Sequence, residues 1–410
     1  MKALQVKRAP ARFGMARIAS AVAPATAARI GPLEYRSVDD PSCPGEGWHR
    51  VTTHLAGICG SDLSLVEGRA STYFDDFVSF PFVPGHEVVG HLDDGSRVVL
   101  EPVLGHGARG IKLPFADACP ADGDDYAHLA TTSRTGVQAG LQTGFCCSTG
   151  GGWGPWFWAH ESQLHGIPDD VPDERAVLIE PLAGGIHAAL TAGAALHGIA
   201  EPVVAVIGAG TVGLAVIAGL KRYVPGVRII VGGRYPHQMI LAKALGADVV
   251  VSSGKLDLAV RREVGCHVIG EPTAGGQQSG NFLSSGADAT IDAVGSSDSI
   301  TDAIRITRPR GRVVLVGMPA DVKLDLTGLW HRETELKGAY TYGTERLPDG
   351  TTARTFDLAA DTANFYEAER LLSATYRLDE HVDAIAHASA AGRRGAVKIA
   401  FDMREMKEHH

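Results

Sequence analysis

Residues 203–220 (VVAVIGAGTVGLAVIAGL) form eighteen consecutive uncharged positions, and no other stretch limits the possible folds of the chain so strongly. By length alone the run just suffices to cross a bilayer. Gly208, Gly210 and Gly213, however, interrupt it. Their spacing has another explanation. VVAVIG reads as a buried strand and TVGLAVIAGLKRY as the helix after it, with G-x-G-x-x-G at the turn between them. The first glycine allows a tight turn, the second lets backbone approach a pyrophosphate, and the third lets helix pack closely on strand. The helix N-terminus then faces the phosphate charge. The string alone is weak evidence, and its strand-turn-helix setting gives it weight. Gly208, Gly210, Thr211, Val212 and Gly213 are therefore the candidate cofactor-binding residues.

The surrounding sequence supports this setting. RIIVGG, DVVVS, DATIDAVG and GRVVLVGM read as strands, with MILAKALGA and SITDAIRITR as helices among them. Strands alternating with helices imply right-handed βαβ units on a parallel sheet, a doubly wound Rossmann domain. NAD-binding domains of this type place an acid about 20 residues beyond the loop, on the ribose hydroxyls. Here the next strand ends in Gly232, Gly233 and Arg234. Without the carboxylate a 2′-phosphate meets no repulsion, and Arg can pair with it bidentately. This predicts NADP(H) over NAD(H), against the plainer reading of Arg234 as a solvated surface cation.

Before residue 185 the pattern is of short strands (WHRVTTHL, SRVVLEPV) and dense turn chemistry (PSCPGEG, VPGHE, HLDDGSR), which fits a barrel-like β domain. After residue 345 a helical TANFYEAERLLSATY precedes a strand-like AVKIAFDM. The expected organisation is an α/β chain in which both ends build the β-rich domain (1–187 and 343–410) around an inserted Rossmann domain (188–342). A length of 410 residues suits two domains. With 38 Lys+Arg against 47 Asp+Glu, the net charge of −9 argues against nucleic acid or an anionic membrane as partner. Six cysteines are too sparse for a disulfide scaffold, and MKALQVKRAPARFG has no apolar core of signal-peptide length. Cytoplasm is the expected compartment.

A second group carries chemistry. GICGSDL supplies Cys59, and 27 residues later PFVPGHEVVGHL supplies His86 and Glu87. Thiolate, imidazole and carboxylate are the ligand types zinc prefers. Singly, each has a plainer explanation: a buried cysteine, a hydrogen-bonded loop histidine, an exposed acid. LIEPLAGGIHAAL adds Glu180 in an apolar setting, where an isolated carboxylate is costly to bury unless it is paired or metal-bound.

GxCGSDL, PxxPGHExxGxL, the apolar-Glu-Pro-Leu segment and GAGTVG, in this order over nearly the whole chain, resemble the medium-chain zinc-dependent alcohol dehydrogenase superfamily. The sorbitol, threonine and glucose dehydrogenase branch is the nearest likeness. The resemblance implies a GroES-like catalytic domain and one catalytic zinc on Cys59 and His86. Glu180 stands where the branch has a third ligand or near-ligand, and Glu87 either coordinates or exchanges with a ligand. His187 is a less favoured third ligand. Ser61 matches the hydroxyl that passes the alcohol proton outward, and Asp62 a position supporting the metal from behind. Val316, Gly317 and Tyr340 match backbone near the nicotinamide. The implied activity is hydride transfer between NADP(H) and a secondary alcohol or ketone, of polyol, sugar or cyclitol type. The implied assembly is a homodimer or homotetramer.

Two departures stand out. The stretch after GHE, where relatives carry four cysteines for a structural zinc, has only Cys119; Cys146, Cys147 and His106 lack suitable spacing, so no structural zinc is expected. Ser64 replaces a histidine of the proton relay of some relatives, leaving water or His54 as its end. The tryptophans Trp153, Trp156 and Trp158 either line a cleft or pack a loop, and residues 264–286 have no assigned role. Two other readings remain: a zinc-free quinone or enone reductase, and a non-catalytic NADPH-binding protein.

Overall fold

The computed structural model describes residues 1–22, 24–112, 127–269 and 282–405. The chain divides into two compact units, residues 1–180 with 359–410, and residues 181–358. The expected boundaries at 187/188 and 342/343 thus move. Residue 187 lies inside the helix Ile179–Gly193. Residues 343–358 are tied into the second unit: His187 Nδ1 meets Glu345 Oε1 at 2.6 Å, and Tyr223 Oη donates to Leu358 O at 2.8 Å.

The first unit is built on a seven-stranded sheet. Along its main path the strands run Leu372–Tyr376, Lys398–Asp402, Trp48–Gly57, Val88–Leu92, Arg97–Leu100 and Leu164–Gly166, and Trp156–His160 pairs with Trp48–Gly57. Pairing is antiparallel except between Leu372–Tyr376 and Lys398–Asp402. Alternation along Trp48–Gly57 puts Val51 and Leu55 inside, and the core around it includes Phe82, Trp153, Phe157 and Phe401. Both chain ends therefore supply strands to one sheet.

Two local features differ from the sequence expectation, and a third decides between alternatives that the sequence left open. Helices Pro10–Val22 and Pro24–Ile30 lie between the paired strands Lys2–Val6 and Leu33–Ser37, where only strands and turns are expected. The helical reading of TANFYEAERLLSATY holds only in its first part. The helix is Thr355–Tyr366, Glu367 adopts φ 49°, and Leu372–Tyr376 continues as a strand. A left-handed non-glycine residue cannot propagate a right-handed helix, so the chain turns there. The tryptophan loop is packing: Trp153 is fully buried with Nε1 donating to Gly57 O at 3.2 Å, and Trp158 Nε1 donates to Pro41 O at 2.8 Å.

The second unit is a six-stranded, all-parallel sheet in the order Val249–Ser252, Arg228–Gly233, Val203–Ile207, Ala287–Asp292, Thr307–Leu315, Glu335–Gly338. This is the doubly wound order whose direction reverses between Val203–Ile207 and Ala287–Asp292, where such sheets open a crevice at their carboxyl ends. The uncharged run divides into the strand Val203–Ile207 and the helix Thr211–Tyr223, with Leu214 to Leu220 buried, so its apolarity belongs to a core. Of residues 264–286, Val268–Ile269 and Phe282–Leu283 pair as two short antiparallel strands; 270–281 fall outside the described residues.

Candidate functional site

Within the first unit, Cys59 follows the central strand and caps the helix Gly60–Val66. His86 and Glu87 immediately precede the neighbouring strand Val88–Leu92. Pairing of those strands brings the two motifs together, with Gly57 N donating to Glu87 O at 2.8 Å. One ligand atom each from Cys59, His86 and Glu87 lies within 4.8 Å of the others. His86 and Glu87 are buried and Cys59 is half-buried.

Asp62 organises this group from beneath. It is fully buried, and its Oδ2 accepts from Cys59 N at 2.9 Å. Its Oδ1 lies 3.5 Å from His86 Nδ1, too distorted for a hydrogen bond, so both atoms are buried without a partner. Burial works to lower the His86 pKa, but Asp62 and Cys59 outweigh it and hold the imidazole well above its ordinary value. A buried thiol, imidazole and carboxylate converging on one point, with an anion behind the ring, suit a divalent cation of zinc's character. The residues fit the metal.

Sequence reasoning missed Lys398. It opens the strand Lys398–Asp402, whose Ala400 pairs with Gly57 and whose Ile399 O accepts from Ile58 N at 2.9 Å. Lys398 Nζ forms an ion pair with Glu87 Oε2, and the two side chains are 3% and 1% exposed. Burial alone would depress the lysine; Glu87, Cys59 and Glu180 overcome it and raise its pKa. Gly57 makes room, since a Cβ there would sit 2.8 Å from Lys398 Cε as well as against the Glu87 carboxylate. The only sequence signal was a lysine inside an otherwise apolar, strand-like KIAF.

Glu180 begins the helix Ile179–Gly193 and is not one of the three clustered ligands, although its charge reaches Lys398. His187 is also outside the group, bonded to Glu345. Ser61 is half-buried, two residues into the turn after Cys59. His54 has no ring nitrogen to offer it: Nδ1 meets Asp173 Oδ2 at 2.9 Å and Nε2 meets His91 Nδ1 at 2.7 Å. Cys119 lies outside the described residues. In the same lobe, Arg109 is fully buried and donates to the carbonyls of Leu104, Thr131, Gln138 and Gly140 at 2.7–3.3 Å, and His106 stacks on His128 at 4.0 Å.

In the second unit the glycine loop lies at the topological switch. Gly208 adopts φ +95°, open only to glycine at low cost. A Cβ on Gly210 would meet nothing within 4 Å, so this glycine faces open space. Asp292, at the end of the adjacent strand, accepts from Val294 N at 2.8 Å and Ser299 Oγ at 2.9 Å, and burial raises its pKa. Val316 N and Gly317 N both donate to Asp292 O, at 3.0 and 2.9 Å, which places them at the same carboxyl edge. Tyr340 is exposed beyond the edge strand. Gly232 and Gly233 end the strand next to the loop, and Arg234 is exposed with its guanidinium 5.7 Å from the Tyr235 ring. Thr211 and Val212 open the helix after the loop.

Comparison with known proteins decides the family. The alcohol dehydrogenase GroES-like domain matches residues 45–169, and the zinc-binding dehydrogenase domain matches residues 211–355. The chain belongs to the zinc-dependent medium-chain alcohol dehydrogenase superfamily. Mouse (Mus musculus) sorbitol dehydrogenase is 29% identical to it over 304 residues, covering 70% of this chain and 73% of that protein. Two crystal structures share the fold at 21% identity and a TM-score of 0.64. One is the Bacillus subtilis 2R,3R-butanediol dehydrogenase, covering 90% of this chain and 96% of its own. The other is a zinc-binding-dehydrogenase-type protein from Sinorhizobium meliloti bound to NADP, covering 98% and 100%. As a medium-chain dehydrogenase the chain is an oxidoreductase of the sorbitol dehydrogenase branch, with the Rossmann and GroES-like organisation expected from its motifs.

Proposed function

We propose that this dehydrogenase transfers a hydride between NADP(H) and a secondary alcohol or the matching ketone, with a polyol, sugar or cyclitol as substrate class. The observation that carries the reading is the convergence of Cys59, His86 and Glu87 over buried Asp62. Cys59 and His86 would hold the metal, with either Glu87 or Glu180 as its third ligand. Zinc bound there polarises an alcohol or carbonyl oxygen and lowers the pKa of a bound hydroxyl. Ser61 takes the substrate proton outward to water, since His54 is committed to Asp173 and His91. Lys398 competes with the metal for Glu87 and so sets how readily that carboxylate ligates.

The NADP preference rests on Gly232, Gly233 and Arg234, a ribose pocket with no carboxylate and one available guanidinium. The expected assembly is a homodimer or homotetramer; the strand Glu335–Gly338, exposed along its length at the edge of the parallel sheet, with Trp330 77% exposed beside it in sequence, is the surface we assign to it. A single zinc per chain and a cytoplasmic location belong to the same proposal. A panel of polyols and ketones assayed with both cofactors, alongside metal analysis, tests it. One zinc per chain and NADP-dependent turnover of a secondary alcohol are expected; metal-free enone reduction, or NAD-only turnover, would defeat it.

A further inference from the structure

The first 33 residues contain six Lys or Arg and no Asp or Glu, in a chain whose net charge is −9. The fold gathers part of that charge at one place. A cavity of about 590 Å³ lies against the helix Pro24–Ile30, the strand Leu33–Ser37 and the helix His381–Ser389, lined among others by Arg12, Arg29, Glu34, Tyr35, Arg36 and His381. None of these residues belongs to the metal group or the cofactor loop.

Charge in this cavity is unbalanced. Glu34 is its one carboxylate, and three cations share it: Arg12 in direct contact, Arg36 at 3.7 Å and Lys7 at 3.9 Å. Arg29 is exposed and has no ion-pair partner among the described residues. The nearby carboxylate that acts on Tyr35, Asp379, is already held by Arg377 at 2.6 and 3.0 Å. Three arginines therefore line the cavity against its one carboxylate, with Lys7 close to that carboxylate as well. Several guanidinium groups lining one concavity suit planar, bidentate recognition of phosphate oxygens, and each such hydrogen bond is charge-assisted. The volume is that of a small-molecule site. Tyr35, its hydroxyl kept protonated as burial raises its pKa, adds a neutral donor and a ring.

We propose that this cavity binds a small phosphorylated anion of at least two negative charges, a phosphate ester or polyphosphate, at a site separate from the dehydrogenase chemistry. Arg29 and Arg36 are its main contacts, with Arg12 held in place by Glu34 at the rim.

The probe is inorganic pyrophosphate, titrated calorimetrically at fixed ionic strength into the protein already saturated with its nicotinamide cofactor, so that the glycine loop is filled. One saturable site per chain is expected. Arg29→Ala should weaken it about tenfold, Arg29→Lys by less, and Arg29→Ala with Arg36→Ala beyond detection. Arg29 has no ion pair among the described residues, so its removal is expected to leave the fold intact, and an unchanged thermal midpoint verifies this. The proposal is overturned if no saturable heat appears, if the arginine variants bind as the parent does, or if citrate at equal ionic strength binds as tightly as pyrophosphate.

Discussion

The two functional regions of this dehydrogenase are built by opposite means. The metal group is made of polar and ionisable side chains gathered from positions 59, 62, 86, 87 and 398, of which Asp62, His86, Glu87 and Lys398 are buried where each would be costly alone. The dinucleotide loop is made of backbone from one short stretch, and its main residues are glycines selected for lacking side chains. The first can fail by losing a single atom type; the second fails by gaining one. If the regions are as independent as their construction implies, Cys59→Ser should remove zinc and lower kcat by about a thousandfold or more. Cofactor affinity should stay within about twofold by fluorescence titration. A parallel loss of cofactor binding would break the comparison.

The same contrast predicts where stability is concentrated. In the zinc-free protein Lys398→Met leaves Glu87 as an unpaired buried charge, and such breakage costs about 3–5 kcal/mol. Adding Glu87→Gln should recover most of that loss, because the cost is that of the abandoned carboxylate rather than of the missing attraction. Urea denaturation of the two single variants and the double variant measures this directly. A double variant as unstable as Lys398→Met alone would mean that lysine packing, not charge, sustains the strand.

How much of this was legible in the sequence follows from the same distinction. The glycine loop could be read because everything that makes it work is local: strand, turn and helix lie within about twenty residues. That the sheet is parallel followed from alternation of strand and helix, whereas its strand order came only from the structure. Cys59, His86 and Glu87 were legible as residue types in two short motifs, but not as a geometry, since the pairing of Trp48–Gly57 with Val88–Leu92 is what joins them. Lys398 was invisible for a physical reason. Its ion pair spans 311 positions, from 87 to 398, and a lysine in KIAF reads as the polar residue of an ordinary strand. The helices Pro10–Val22 and Pro24–Ile30 were missed because proline opens each of them and Gly14 interrupts the first, residues that punctuate a sequence rather than mark a helix. The strand Leu372–Tyr376 was hidden because only the turn at Glu367 and a single 3-10 turn, Ala368–Leu371, separate it from the helix Thr355–Tyr366.

The cofactor region admits a finer test. Arg234→Ala should weaken NADP(H) about tenfold while leaving NAD(H) affinity unchanged. Restoring a ribose carboxylate is harder than the sequence suggests, because a Cβ on Gly233 would lie 2.6 Å from Met239 Cγ. Gly233→Asp therefore belongs together with Met239→Ala, and the pair should raise the NAD-to-NADP ratio of kcat/KM. Equal losses for both cofactors in Arg234→Ala would show that the arginine stacks on Tyr235 without reading the phosphate.

The smallest effect comes from a charged group that serves neither site. Asp173 is surrounded by His54 at 2.9 Å, Arg97 at 2.5 Å and Arg404 at 3.8 Å. Burial raises its pKa, but hydrogen bonds from His54 and Arg97 outweigh burial and bring it from 3.8 to about 2. A carboxylate whose folded pKa is depressed stabilises the protein above its unfolded pKa, and that stability is lost as pH falls through the folded value. The window is thus from about pH 4 down to about pH 2. Fully expressed the shift is worth about 2.4 kcal/mol, but partial exposure of the partners screens it to about 1 kcal/mol. Acid unfolding of Asp173→Asn against the parent should show a difference that is constant above pH 4 and shrinks below it. A difference that grows toward low pH would reverse the sign and place the carboxylate's role in packing instead.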